Sequence, residues 1–145
     1  MKVINMVMLA ALSLAFAGPV SAGEDKDAQK AEKQKIEADA KAAREKCKDM
    51  KGNAKDICMA EAKGQEKVAK AELTAKNKDT PKNRYDVAAA KADMEYNIAK
   101  EKCDEMKGKE KDQCQKDAKA ARDTAKKQAK AERESAEGKK GSKKA

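Results

Sequence analysis

Two segments of this sequence share one cysteine spacing, and that repeat constrains the fold more than any other feature. CKDMKGNAKDIC runs from Cys47 to Cys58, and CDEMKGKEKDQC runs from Cys103 to Cys114. The second copy lies 56 positions after the first, which is eight heptads, so a helix keeps its phase from one copy to the next. All four cysteines of the chain lie in these two segments. An even cysteine count at a repeated spacing is typical of a disulfide framework in an exported protein.

The sequence around the cysteines predicts four helices. Ala, Lys, Glu, Gln and Arg dominate it, and all five are strong helix formers. Apolar residues at a 4-3 spacing mark a narrow, alanine-rich stripe of coiled-coil type. The stripe positions are Ile36, Ala40, Ala43, Cys47 and Met50; Cys58, Ala62 and Ala69; Tyr85, Ala89, Ala92, Tyr96, Ala99, Cys103 and Met106; and Cys114, Ala118, Ala121 and Ala125. We expect helices near residues 25–51, 54–78, 81–107 and 110–137.

Glycines and capping residues predict where these helices turn and start. Gly52 and Gly108 fall where a helix would end in a left-handed residue. Asn53 is expected to cap the helix that follows the first turn. Thr80 is expected to be an N-cap, with Pro81 at the first helical position. These signals predict one turn inside each cysteine segment and a separate helix start between the two copies.

An all-α fold of two repeated antiparallel helical hairpins follows from these patterns. Its expected parts are a signal peptide at 1–22, a first hairpin at 23–79, a second hairpin at 80–137 and a disordered basic tail at 138–145. The two hairpins would be held by a thin seam of alanine. The patterns leave open whether the hairpins pack into one four-helix bundle.

Residues 1–22 are typical of a secretory signal peptide. Lys2 supplies the positive end, residues 7–17 form an apolar run without charge, and small residues at 20–22 suit a cleavage site. The apolar run is too short to act as a stable membrane anchor. We therefore expect cleavage after Ala22, a periplasmic location and a mature chain without a transmembrane anchor.

Export places the cysteines in an oxidising compartment, where disulfides persist. Four cysteines allow three pairings. In a hairpin that turns at its glycine the two cysteines of one copy face each other, so we predict Cys47–Cys58 and Cys103–Cys114. The competing architecture is one long helix through Gly52, because a single glycine there costs only about 1 kcal/mol. In that helix the cysteines of the first copy would lie roughly 16 Å apart, too far for an intrachain disulfide.

Composition limits the core and argues against catalysis. Charged residues make up 42% of the chain and aromatic residues 2%, so large apolar side chains are too few to order a compact core. Order must come from helix propensity, the thin seam and the cross-links. The chain has no histidine, the commonest general base and metal ligand. The mature serines Ser135 and Ser142 have no plausible base partner. We expect no catalytic residues, no metal and no cofactor.

Two other kinds of function remain open. The Cys47-x-x-Met50 and Cys103-x-x-Met106 patterns place two sulfur ligands on one helical face, which suits a soft metal such as Cu(I), or thiol-redox chemistry, where the thiols are free. The lysine-rich surface and the basic tail would attract acidic polymers or lipid headgroups, since the net charge is +9. Export argues against nucleic acid as a partner.

The helical stretches AKAAREK, AEAKGQEKVAKAE and AKAARDTAKKQAKAE resemble in composition the stalk of TolA, a bacterial envelope protein. The cysteine segments are similar to a duplicated C-x-x-x-x-G-N-A-K-D-x-C motif of small, uncharacterised exported bacterial proteins. Residues 52–56 and Cys58 match that run, whereas the second copy has Lys109 and Glu110 in place of Asn-Ala. The resemblance implies a periplasmic, all-helical protein and no activity.

The function we expect is a non-enzymatic structural or interaction role in the cell envelope. Because the seam is thin, a partner is expected to complete it. The expected partners are an envelope protein, an anionic surface or a second copy of the chain.

Overall fold

A computed structural model describes residues 22–142, with side chains from 26 to 139. This part of the chain forms four helices: α1 (Ala22–Lys48), α2 (Gly52–Asn77), α3 (Pro81–Cys103) and α4 (Gly108–Ser142). It contains no strand, so the predicted all-α fold is confirmed. The predicted signal peptide, apart from Ala22, lies outside the described residues.

The helices form a single antiparallel layer in which each one packs only against its neighbours in the chain. Within residues 22–142, α1 contacts α2, α2 contacts α3 and α3 contacts α4, and α1 does not reach α4. The two hairpins therefore pack side by side through α2 and α3, and the bundle is not closed. Because α2 and α3 are antiparallel, the two hairpin tips lie at the same end of the layer.

The layer is open because α2 and α3 each carry two apolar faces that point in nearly opposite directions. Residues two positions apart in an α-helix point about 200° apart. In α2, Ala62 lies in the seam with α1, while the buried Gly64 faces α3. In α3, Ala92 lies on the side that faces α4, while Met94 packs against Gly64. A closed bundle would need two contact faces roughly at right angles on each helix.

The contact between α2 and α3 lies outside the stripe that the sequence predicts. Its apolar residues are all buried or half-buried and recur at helical spacing: Ile57, Ala60, Gly64, Val68 and Ala71 on α2, and Val87, Ala90, Met94 and Ile98 on α3. Gly64 sets how closely the two helices approach, because a Cβ there would lie 2.8 Å from the Cβ of Met94. This junction contains several of the largest apolar side chains of the described residues and joins the two repeats.

The helices α1 and α3 end earlier than predicted, at Lys48 and Cys103 rather than at 51 and 107. In both turns the chain closes through a short-range backbone bond. The Met50 N–H donates to the carbonyl oxygen of Cys47 at 3.2 Å, and the Met106 N–H donates to that of Cys103 at 3.0 Å. Such i to i+3 bonds satisfy carbonyls at a helix end while tightening the last turn.

The predicted start of the disordered tail is wrong. α4 continues past 137 through Gly138 to Ser142, so five residues of the tail at 138–145 are helical. One glycine inside a helix costs only about 1 kcal/mol relative to alanine, and lysine near a C-terminus interacts favourably with the helix dipole. Residues 143–145 lie outside the described part of the chain.

The predicted inner stripe of α4 is wrong at Ala121, which is exposed. Arg122 occupies the inner face instead, with its guanidinium carbon 4.4 Å from the ring centroid of Tyr96. Three turns further from α3's C-terminal end, Arg133 lies 5.3 Å from the ring centroid of Tyr85. Arginine stems pack along aromatic rings while the charged groups interact with the ring faces. The second hairpin therefore fills its seam with two Tyr–Arg pairs.

Candidate functional site

Two disulfides close the hairpins at the same end of the layer. They join Cys47 to Cys58 and Cys103 to Cys114, with a Cα–Cα distance of 5.6 Å in each. Cys47 and Cys103 are 0% exposed, and no cysteine is free. Packed helices usually lie 8–10 Å apart, so small residues beside the bridges are needed for this closer approach. The predicted pairing is confirmed, and the single long helix through the first turn is excluded.

Each turn contains a glycine in the left-handed region. The φ angle is +57° at Gly52 and +55° at Gly108, a conformation that costs little only where there is no Cβ. The left-handed conformation agrees with the sequence prediction, but its position differs. Each glycine is the first residue of the following helix rather than the end of the preceding one.

Asn53 does not cap α2 as predicted. The cap position is Lys51, whose side chain makes no capping hydrogen bond. The Asn53 Nδ2 group instead donates to the backbone oxygen of Glu101 at 2.6 Å. This happens because α2 begins one residue before Asn53 and turns that side chain towards the last turn of α3, where the Glu101 oxygen also accepts from the Asp104 N–H at 3.1 Å. The bond ties the tip of the first hairpin to the last turn of α3.

The helix start between the two hairpins lies where the sequence places it. Thr80 is the N-cap of α3, and its Oγ1 accepts a hydrogen bond from the Asn83 N–H at 3.0 Å. Pro81 is the first residue of the helix and is buried. The cap and the proline fix the direction in which the second hairpin leaves the first.

The two methionines of the cysteine segments are exposed rather than part of the seam. Met50 is 40% exposed and Met106 is 44% exposed, at equivalent positions on the two tips. Their cysteine neighbours are oxidised, and a disulfide sulfur is not a thiolate ligand. Among residues 22–142 no group of three or more His, Cys, Asp or Glu is placed to hold a metal.

A charged cluster crosses the seam between α1 and α2. Glu66 of α2 pairs with Arg44 of α1, and Lys70 lies 2.7 Å from Glu66 and 3.4 Å from Glu37. The hydrogen bond from Lys70, followed by that from Arg44, lowers the pKa of Glu66. The same bond raises the pKa of Lys70. This cluster occupies the position where the second hairpin has its Tyr96–Arg122 pair.

The second hairpin has its own polar links between α3 and α4. Asp104, directly after α3, lies 2.9 Å from Lys111 and accepts a hydrogen bond from Gln115 at 3.0 Å. The bond to Lys111 lowers the pKa of Asp104. Further along, Lys126 lies 2.6 Å from Asp93. The shifted carboxylates all belong to ion pairs at the surface or at a seam, and they do not converge on an enclosed cavity.

A long apolar groove lies between α1 and α2 on one face of the layer. Near the disulfide it encloses about 410 Å³, and near the other end about 370 Å³. Its floor is made of Ile36, Ala40, Ala43, Ala62, Ala69, Leu73 and the first disulfide. Its rims are charged or polar: Glu32, Lys35, Asp39 and Lys46 on α1, and Glu61, Gln65, Glu72 and Lys76 on α2. We call this feature the α1–α2 groove.

Other clefts are smaller. A cleft of about 70 Å³ lies between α3 and α4 beside Tyr85 and Arg133. A cleft of about 270 Å³ lies between α2 and α3, where Met59 and Met94 meet Lys63 and Lys67. Ligand pockets usually measure about 300–1,000 Å³ and enclose most of their ligand. Of these features, only the α1–α2 groove combines that volume with an apolar floor.

Sequence reasoning missed the groove and the junction between the repeats. The groove follows from alanine at position 40, where the second hairpin has Tyr96, and this signal is visible only when the copies are aligned and their seams compared.

Comparison with protein-family models, with curated proteins and with solved structures finds no match to this chain. None of the helices in the described residues has the length and apolar content needed to cross a bilayer.

Proposed function

We propose that this chain is a non-enzymatic, exported protein that acts as a structural or interaction module in the bacterial periplasm. The observation that carries the proposal is the combination of two disulfides with a core of small residues. The buried apolar residues of the described part are Ala40, Cys47, Ala62, Val68, Ala92, Cys103 and Ala129. A core of this size stabilises a fold weakly, so the cross-links must supply a large part of its stability. Such disulfides form and persist in an oxidising compartment.

The open layer supports an interaction role. Every helix exposes two broad sides, and the edge helices α1 and α4 each expose a third. Covering the α1–α2 groove would remove from water the apolar surface that the hairpin leaves exposed, which is energetically favourable. A partner that covers the groove would therefore stabilise the first hairpin as it binds.

The compartment can be tested by expressing the full chain with its own N-terminus in a Gram-negative host. We expect the protein in the periplasmic fraction, with Gly23 as its first residue and four thiols blocked against alkylation. The matched control replaces the apolar run at 7–17 with polar residues and should leave reduced, full-length protein in the cytoplasm. Full-length wild-type protein with free thiols in the cytoplasm would contradict the proposal.

The interaction role can be tested by photo-crosslinking in the living cell. A photoreactive side chain at Lys46, on the rim of the groove, should give a defined crosslinked product. The same group at Lys102, the equivalent exposed position of the second hairpin, serves as the control position. If the Lys46 position gives no crosslinked product in periplasmic protein, that result would argue against an interaction role for this face.

A second candidate function is binding to anionic surfaces. Lys109, Lys116 and Lys127 are exposed, and their spacing places them along the outer side of α4. Replacing all three with Gln should weaken binding to vesicles that contain anionic lipid, most clearly at low salt. A matched control replaces the exposed Lys26, Lys30 and Lys33 of α1, which removes the same charge. Equal losses from the two triple variants would show attraction by net charge alone.

A further inference from the structure

We propose that two copies of the chain dimerise face to face through the α1–α2 groove. A two-fold axis parallel to the helices would place α1 of each copy on α2 of the other, giving an antiparallel four-helix arrangement of two hairpins. The inference rests on the proposed interaction role and deepens it, because it names a second copy as the partner. Three features of the groove carry it.

The first feature is the apolar floor. Ile36 and Leu73 are half-buried at one end, and alanines continue the floor to the disulfide at the other. Alanine lets a helix approach closely, because its side chain stands little above the backbone. The groove extends along α1 from Glu32 to Cys47, which is about 22 Å at 1.5 Å per residue. A pair of helices from another hairpin fits that length and width.

The second feature is the charge on the rims. The disulfide and the Lys76–Glu32 ion pair fix which residues of α1 and α2 lie at the same height. At three heights the two rims carry opposite charges: Lys46 is level with Glu61, Lys35 with Glu72, and Glu32 with Lys76. Within the chain Lys35 pairs with Asp39, Glu72 with Lys91 and Glu32 with Lys76, so the contact between copies depends mainly on Lys46 and Glu61.

A two-fold axis parallel to the helices keeps these heights and exchanges the two rims. Lys46 of one copy then faces Glu61 of the other, and the reverse contact forms at the same time. Such a surface is self-complementary, as an isologous dimer interface requires.

The third feature is the contrast with the second hairpin. Its rim positions Lys102 and Asp117 carry the same charges as Lys46 and Glu61, but Tyr96 and Arg122 occupy its seam. A cleft at the Tyr85–Arg133 end of that seam holds about 70 Å³. One groove per chain gives a closed dimer rather than an open chain of copies. The groove is short, so the interface lies near the lower end of the roughly 1,200–2,000 Å² typical of specific complexes, and we expect a weak dimer.

Charge reversal tests the proposal on the oxidised protein of residues 23–145. Sedimentation should show a monomer–dimer equilibrium at micromolar concentration. Lys46→Glu and Glu61→Lys should each weaken the dimer by about tenfold or more, because each places like charges opposite one another twice. The double variant should restore the dimer, since positions 46 and 61 then face each other again with opposite charges. Lys102→Glu and Asp117→Lys, at the equivalent positions of the second hairpin, should leave it unchanged.

Three outcomes would overturn the inference. The first is a monomer up to about 1 mM, a concentration at which even an association worth only about 4 kcal/mol is detected. The second is a double variant as weak as the single ones. The third is an equal loss from the control variants, which would place the interface elsewhere. Circular dichroism of every variant shows whether the helices are intact. A monomer that is still exported and oxidised would leave the proposed function standing.

Discussion

The two hairpins have tips of the same structure but seams of different composition. Both tips have a buried cysteine, an exposed methionine and a left-handed glycine at equivalent positions. Along the seam, the first hairpin has Ala40 opposite a charged cluster at Glu66, whereas the second has Tyr96 under Arg122. The comparison shows that the tip specifies the hairpin, while the seam decides whether its face is closed or left open.

The outward faces of α2 and α4 differ in a corresponding way. The residues with which α2 packs on α3 are apolar or small, and their counterparts 56 positions later on α4 are exposed and mostly polar. Ile57, Ala60, Gly64 and Val68 of α2 correspond to Gln113, Lys116, Ala120 and Thr124 of α4. In repeat proteins a polar outer face on the terminal unit ends the array. The same scaffold therefore joins a neighbour at α2 and stops at α4.

Removing the disulfides one at a time should have the largest effect and should separate the hairpins. Replacing both cysteines of either pair with serine should cost about 2–3 kcal/mol, because each bridge closes an equally short loop. Without its bridge the first hairpin should also lose amide protection along α1. Without its own bridge, the second hairpin should keep amide protection near Tyr96. Hydrogen exchange on the two double variants measures this, and equal loss of protection would show that the seams are equivalent.

Gly64→Leu should break the junction between the hairpins. The new side chain would overlap Met94, and overpacking of this kind costs about 1–3 kcal/mol. The matched control is Ala120→Leu, at the equivalent exposed position of α4, where a change within about 0.5 kcal/mol is expected. Thermal unfolding measures both. A Gly64 variant as stable as the control would mean that the α2–α3 contact is not tight.

Arg122→Gln should weaken only the second hairpin. The variant keeps much of the stem but loses the cation–π contact with Tyr96, which contributes about 0.5–1 kcal/mol at a partly exposed site. Arg133→Gln, whose guanidinium lies farther from its tyrosine ring, should cost less. Chemical denaturation of both variants checks the order, and a larger loss at Arg133 would contradict it.

Acid should destabilise the first hairpin by protonating Glu66, and this effect should be the smallest of the four predicted here. The pKa of Glu66 is lowered by Lys70 and Arg44, so its contribution is fully present above the unfolded value near 4.5 and is lost as the pH falls through the lowered value. Such ion pairs contribute up to about 1 kcal/mol. Glu66→Gln should reduce stability at pH 7 and leave it almost unchanged near pH 2. An equal loss at both pH values would show that packing, not charge, explains the variant.

The sequence predicted the features that depend on nearby residues. The two disulfides follow from cysteines placed on either side of a glycine turn, and the cap at Thr80 follows from its own neighbours. The prediction for Asn53 failed because its partner, Glu101, is 48 positions away in the other repeat. Nothing in the local sequence distinguishes a side chain that caps its own helix from one that reaches the next.

The rest of the fold depended on contacts that a single stripe does not describe. The apolar spacing places Ala121 in the stripe of α4, because alanine counts as apolar and arginine as polar. In the structure Arg122 occupies the inner face, because its long apolar stem packs against Tyr96. The second apolar face of α2, centred on Gly64, is hard to recognise because a glycine within a helical pattern more often indicates a weak helix than a close contact.

The arrangement of the chain ends has a mechanical consequence. α1 begins and α4 ends at the end of the layer opposite the two disulfides, on its two outer edges. A force that pulls the termini apart would peel α1 from α2 and α4 from α3 one turn at a time, which needs less force than shearing whole helices past each other. Each disulfide would then pass the force to α2 or α3, and the ten residues inside each bridge could not be extended. A chain attached at both ends would therefore behave as a soft tether whose greatest length excludes the residues inside the two bridges.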